Sequence, residues 1–192
     1  MNTDLLLALR HALESGPPTA EGHLRLGTAL LEEGSAHAAE RELREALALD
    51  PRCAGAWVNL GGILFSRWDF EGALEANRRA VEAEPTLALA HFNQGLAHLM
   101  SGDAERALDA LGRALEIDPG SGAAAFHLGV ALHALGRPLE AELCTAYARE
   151  RDYRPGRESA AALERARSQP SPPQPAAPTA AQGERHGAAQ GR

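Results

Sequence analysis

Eight histidines and two cysteines are the residues of this 192-residue chain best suited to hold a metal ion. His91 and His98 stand seven apart, a spacing that returns to one face of a helix, and His127 and His133 lie close together further along. A structural zinc needs about four converging nitrogen or sulfur ligands. Cys53 and Cys144 are far apart and form no C-x-x-C pair, and the segment from His127 to His133 contains no carboxylate or cysteine to complete a set. No metal site is expected. The chain also lacks a nucleophile elbow, a phosphate-binding loop, an H-E-x-x-H pair and a dinucleotide glycine motif, and Glu32-Glu33 reads as solvated helix surface. Neither an enzyme nor a cofactor is expected. A different chemistry suits Arg25, Asn59, Asn93 and His127, which recur at a constant interval of 34: a ladder of polar groups able to hydrogen-bond an extended peptide backbone.

That interval runs through the whole body of the chain. "WVNLGGILF" from Trp57 has relatives in "HLRLGTALL" from His23, "HFNQGLAHL" from His91 and "AFHLGVALH" from Ala125, with Gly27, Gly61, Gly95 and Gly129 in register. A second phrase follows each, as in "AERELREALALDP" from Ala39, and keeps Ala39, Ala73, Ala107 and Ala141 in step. Pro51, Pro85 and Pro119 close the second phrase, since proline lacks the N–H needed to continue a helix. Gly34, Gly102 and Gly136 punctuate the gap between the phrases, where a left-handed residue ends a helix without Cβ strain. Counting each repeat from Ala20, Ala54, Ala88 and Gly122, positions 4, 7, 8 and 11 of the first phrase share one helical face. A glycine inside a helix costs about 1 kcal/mol relative to alanine, so its recurrence at position 8 implies close approach of a first helix, A, to a second, B, with the alanine at position 20 as the small partner.

This punctuated 34-residue period resembles the tetratricopeptide repeat. The resemblance implies an all-α, right-handed α-solenoid of about four helix-turn-helix repeats, 20–53, 54–87, 88–121 and 122–155. Leu5 to Pro17 aligns with the helix B phrase, so 1–19 is expected to be an N-terminal capping helix or degenerate half repeat. Residues 156–167 are expected to form a C-terminal capping helix. From Ser168 the chain is Pro/Ala-rich with nothing large to bury and is expected to be a disordered tail, whose Pro170-x-x-Pro173 spacing is common in such tails. Three features depart from the family pattern: Trp68 stands where the turn glycine belongs, Tyr153 where a proline belongs, and Asn77 and Thr145 occupy a helix B position usually large and apolar.

In the family the concave surface is lined mainly by helix A at positions 2, 5, 6, 9, 12 and 13. Carried onto this chain, a partner-binding groove would comprise Arg25, Val58, Asn59, Phe65, Phe92, Asn93, Leu96, Leu99, Met100, Phe126, His127 and Val130. Gly62, at position 9, would lower its floor in the second repeat. These apolar residues either face an open groove or are covered by neighbouring helices or the C-terminal helix. A clamp for a terminal carboxylate is disfavoured, because such clamps use basic residues on helix A and only Arg25 is suitably placed. The resemblance therefore implies a scaffold or adaptor holding a peptide or helix of a partner protein. Other functions it allows are a substrate-presenting accessory module of an enzyme system such as a glycosyltransferase, or a self-associating structural module.

Charge narrows the partners. Residues through Asp152 carry 23 acidic and 13 basic side chains, a balance of −10, and the remainder carries 3 and 6, a balance of +3. An acidic body argues against nucleic acid, which draws affinity from clustered positive charge. All 19 basic residues are arginine, the mark of a GC-rich, bacterial genome. The start has no basic n-region or cleavage site and no apolar run long enough to span a membrane, so a cytoplasmic location without membrane contact is expected.

Overall fold

The computed structural model describes residues 2–168. The expected tail lies outside the described residues except for Ser168, which ends a helix. Ten helices and no strand make up the described chain: α1 (Asn2–Ser15), α2 (Ala20–Glu32), α3 (Ala36–Leu49), α4 (Ala54–Ser66), α5 (Phe70–Ala83), α6 (Ala88–Met100), α7 (Ala104–Ile117), α8 (Gly122–Ala134), α9 (Pro138–Glu150) and α10 (Arg157–Ser168). Helices α2 to α9 are four A–B pairs, each packed within itself and against the next, which is the α-solenoid.

Local chemistry sets the helix bounds. Thr19, Asp69, Asp103 and Ser121 each accept a backbone N–H of the first turn, from Gly22, Gly72, Arg106 and Ala124 respectively. The four A–B turns repeat one hydrogen-bond pattern: in the first, Ser35 N–H donates to Leu30 O at 2.8 Å and Gly34 N–H to Leu31 O at 2.9 Å. Its left-handed residue is Gly34, Gly102 or Gly136 at φ +79°, +80° and +71°, and Trp68 takes the same role at φ 65°. A large side chain thus occupies a backbone region that glycine fills elsewhere in the array, at a cost of about 1–2 kcal/mol. Its indole is 69% exposed and meets Phe70 edge-on at 5.9 Å.

The recurrent glycine has a more specific partner than the alanine at position 20. A Cβ at Gly27 would lie 3.0 Å from Leu43, one at Gly129 would lie 2.9 Å from Thr145, and at Gly61 and Gly95 it would overlap Asn77 and Leu111. These four residues share position 24 of helix B. Glycine therefore opens a socket in helix A for the largest inward side chain of helix B, while Ala39, Ala73, Ala107 and Ala141, all at 0–1% exposure, keep the backbones close. Leu43 and Leu111 fill the socket with hydrocarbon. Asn77 fills it at 0% exposure, its Nδ2 donating to Ala73 O at 2.8 Å while its Oδ1 finds no partner among the described residues. A buried, unsatisfied acceptor costs about 1–3 kcal/mol. Asn77→Leu, the residue of repeats one and three, is expected to stabilise the chain by about 1–2 kcal/mol in urea denaturation; an unchanged or lower midpoint would contradict the socket assignment.

Adjacent repeats are tied by polar contacts as well. Trp57 Nε1 donates to Pro51 O at 2.9 Å, His91 Nε2 makes the equivalent bond to Pro85 O at 3.0 Å, and Tyr147 Oη donates to Pro119 O at 2.8 Å. Glu40, buried in α3, pairs with Arg44 and, across the repeat boundary, with Arg67 at 2.7 Å. Burial pushes its carboxyl up, but the hydrogen bond from Arg67 and the charges of Arg44 and Arg67 outweigh that and hold it below the usual carboxylate range.

The two end helices differ. Helix α1 lays Leu6, Leu9 and Leu13 on the cluster built by Leu26, Ala29 and Leu30, as a helix B covers the next helix A. Helix α10 packs on α8. Cys53 and Cys144 are free thiols.

Candidate functional site

The inner faces of the A helices divide into an open part and a covered part. On repeats one to three lies a depression of about 400 Å3 whose walls include Leu5 and Leu9 of α1, Leu24 and Arg25 of α2, Val58 of α4 and Leu89 of α6. A second, of about 280 Å3, shares Val58, Asn59 and Leu89 with it and extends to Leu31, Gly62 and Asn93. Gly62 is exposed, and a Cβ built there meets no atom within 4 Å, so glycine at this point leaves open floor.

Polar groups punctuate the apolar wall. Asn59 Nδ2 donates to Thr28 Oγ1 at 2.9 Å, and that hydroxyl donates to Leu24 O at 2.9 Å. One N–H of the Asn59 amide is therefore occupied in joining the first two repeats, which leaves its second N–H and its carbonyl oxygen to offer. Asn93 is half-buried and its amide bonds no group among the described residues. Arg25 is exposed on the wall.

Several residues expected on the groove serve the fold instead. Phe126, Val130 and His127 are buried, at 5%, 5% and 9% exposure, the first two in one cluster with Leu163 and Ala166 of α10. Their placement on an open inner face is corrected: the C-terminal helix covers the fourth repeat. His127 is ringed by Phe92 at 5.7 Å, Phe126 at 5.4 Å and Tyr153 at 6.5 Å between ring centres. Burial pushes its pKa down to about 4, so it is neutral at pH 7. Phe92 is half-buried against the cluster of Ala107, Leu111 and Ala131, Leu99 is half-buried between two clusters, and Phe65 rests on the Phe70 ring at 5.4 Å. Leu96 is half-buried and lines neither depression; Met100 is 45% exposed at the end of α6. Val58 is only 4% exposed, packed with Ala80 and Ala90, and contributes the edge of its side chain to both depressions.

The residues missing from the expectation are Leu89, 50% exposed at the junction of the two depressions, and Leu5 and Leu9. Leu89 is at position 2, one of the inner-face positions, and was legible there. Leu5 and Leu9 were hidden because a capping helix is expected to bury its apolar side, whereas this one has an apolar surplus, with Leu5 and Leu7 at 46% and 60% exposure.

Among the described residues no three His, Cys, Asp or Glu side chains converge on one point. His91 holds Pro85, His23 Nδ1 lies 2.9 Å from Glu42 Oε2, and His133 Nε2 lies 3.4 Å from Glu142 Oε1. Burial is the main cause of a lowered pKa at His98.

The repeat seen in the helices and sockets is matched by a model of the tetratricopeptide repeat over residues 24–88 and 92–155, more than half of the chain. The chain belongs to the tetratricopeptide repeat family. Its solenoid is similar to the crystal structure of MamA, at 26% identity over 77% of this chain and 86% of that one, with a TM-score of 0.67. It is also similar to PilF of Pseudomonas aeruginosa (23% identity, 86% and 75% covered, TM-score 0.74) and to MamA from Desulfovibrio magneticus RS-1 (23%, 79% and 85%, 0.67). No curated protein sequence matches the chain. Tetratricopeptide repeats are in general noncatalytic scaffolds for protein–protein interaction. No described helix is long and apolar enough to cross a membrane.

Proposed function

We propose that this tetratricopeptide repeat protein is an adaptor that holds a peptide or helix of a partner protein on the inner face of repeats one to three. The observation that carries the reading is the pair of adjoining depressions that share exposed Leu89: exposed Leu5 lines the first, and Asn93, whose amide bonds no group among the described residues, lines the second. A few apolar anchors ringed by polar groups are where interface energy concentrates. Backbone hydrogen bonds from Asn93 and the Asn59 carbonyl would orient the bound segment.

The test uses a partner recovered by affinity purification and then prepared pure. Leu89→Ala combined with Asn93→Ala is expected to weaken its binding at least tenfold in a calorimetric titration, with the melting midpoint within about 2 °C of wild type. Equal affinity in the double variant would remove the groove from the interaction. Phe92 is a poor choice for this purpose, since its packing against the Ala107, Leu111 and Ala131 cluster makes truncation a folding defect.

A further inference from the structure

Helix α10 continues the 34-residue register, because Gly156 follows Gly122 at that interval. It does not pack like a further helix A. Positions 3 and 10 of the repeats include Ala90, Ala124, Ala97 and Ala131, all fully buried, whereas the same positions of α10 are the exposed Glu158 and Arg165. Its buried residues are Leu163 and Ala166, with Ala162 half-buried, at positions 8, 11 and 7. In the repeats, position 8 is the glycine socket for helix B. No helix B follows α10 among the described residues, and leucine replaces the glycine, so the helix is rotated and spends that face on α8.

The match is unequal. The α8 side presents Phe126 and Val130, flanked by Leu99 and Tyr153, while α10 answers with one large side chain and alanines. Two of its twelve residues are buried, its polar anchor is Arg167 on Glu142 at 2.7 Å, and the preceding Arg154, Pro155 and Gly156 are exposed. A helix of this length is marginal without its docking contacts. Helix α6 borders both surfaces, contributing Leu99 to the covered one and Leu89 to the open depressions.

We propose that the α8 surface beneath α10 is a docking site for an amphipathic helix of another protein, with large apolar residues where α10 has Ala162, Leu163 and Ala166, and that such a helix displaces α10. The proposal rests on the reading that the inner face accepts partner segments, and extends it to the fourth repeat. The probe is a fluorescein-labelled peptide of residues 156–168 carrying Ala162→Leu and Ala166→Leu, titrated by anisotropy with full-length wild type and with Leu163→Glu, which frees the site. The variant is expected to bind at least tenfold more tightly than wild type, and adding Phe126→Ala to it is expected to reverse the gain. Equal affinity for wild type and variant, or no binding to either, would overturn the proposal. Should Leu163→Glu lose its cooperative melt, hydrogen exchange of the wild-type chain decides instead: α10 amides are expected to exchange at least 100-fold faster than those of α8, and equal protection would make α10 a fixed cap and end the proposal. None of these measurements involves Leu89 or Asn93, so peptide binding that survives failure of the groove test locates the error in the open depressions, and the reverse result locates it at α8.

Discussion

Gly95→Leu is expected to lower the stability of the whole array by about 3 kcal/mol, the upper end of what overpacking costs. Leu111 is fully buried and fills the space directly opposite, where even a single added carbon overlaps it. Neither residue has an exit: Leu111 sits with Ala107 and Ala131, and Gly95 has its own helix behind it. Nearest-neighbour coupling then passes the loss to the repeats on either side. Gly95→Ala and Leu111→Ala provide the control. Each is expected to destabilise alone, the second by about 2–5 kcal/mol as a cavity. Together they are expected to cost less than the sum, because the added methyl enters the space the leucine vacated. Strict additivity in urea denaturation would mean that the two residues do not meet.

Acid is expected to weaken the fold through His127 before it touches the carboxylates. The ring is buried among Phe92, Phe126 and Tyr153, and burial alone depresses its pKa to about 4. An unfolded histidine titrates near about 6.5. Between these values the unfolded chain binds the proton and the folded chain does not, so stability is whole above about pH 6.5 and falls as pH drops toward about 4. The loss is roughly 2 kcal/mol at about pH 5 and roughly 3 at the bottom of the window. Glu40 and Glu142, whose pKa values are lowered, contribute stability that is lost as pH falls from the ordinary carboxylate range through their lowered values. His127→Leu is expected to reduce the dependence from pH 7 to 5 in denaturant titrations, leaving the part that the burial-lowered pKa of His98 adds in the same direction; an unchanged slope would place the proton elsewhere.

The period of 34 made the repeating helices legible because most boundaries repeat a local signal: a left-handed turn glycine between the phrases or a closing proline after the second. Trp68 disrupted that signal without disrupting the turn, since the hydrogen bonds of Asp69 to Leu64 O and of Trp68 to Phe65 O match those of the glycine turns. Periodicity was less informative about the inner face. Helical angle places Leu24, Val58, Phe92 and Phe126 on one stripe, but what covers each depends on the neighbour: α8 lies beside Phe92, α10 lies over Phe126, and Leu24 stays at the open wall. The rotation of α10 follows from Leu163 standing in a glycine position, a clue visible in the sequence, yet its consequence depends on which helix lies within reach.

If partners seat on the inner face at α6, a photo-crosslinking amino acid at position 89 will capture them. The matched control is position 143, since Leu143 is 72% exposed on α9, away from both depressions. Each labelled full-length chain is irradiated with the purified partner, and crosslinked peptides are read by mass spectrometry. One partner segment is expected to be joined to position 89 and none to position 143. Crosslinks from position 143 with none from position 89 would contradict a seat at α6.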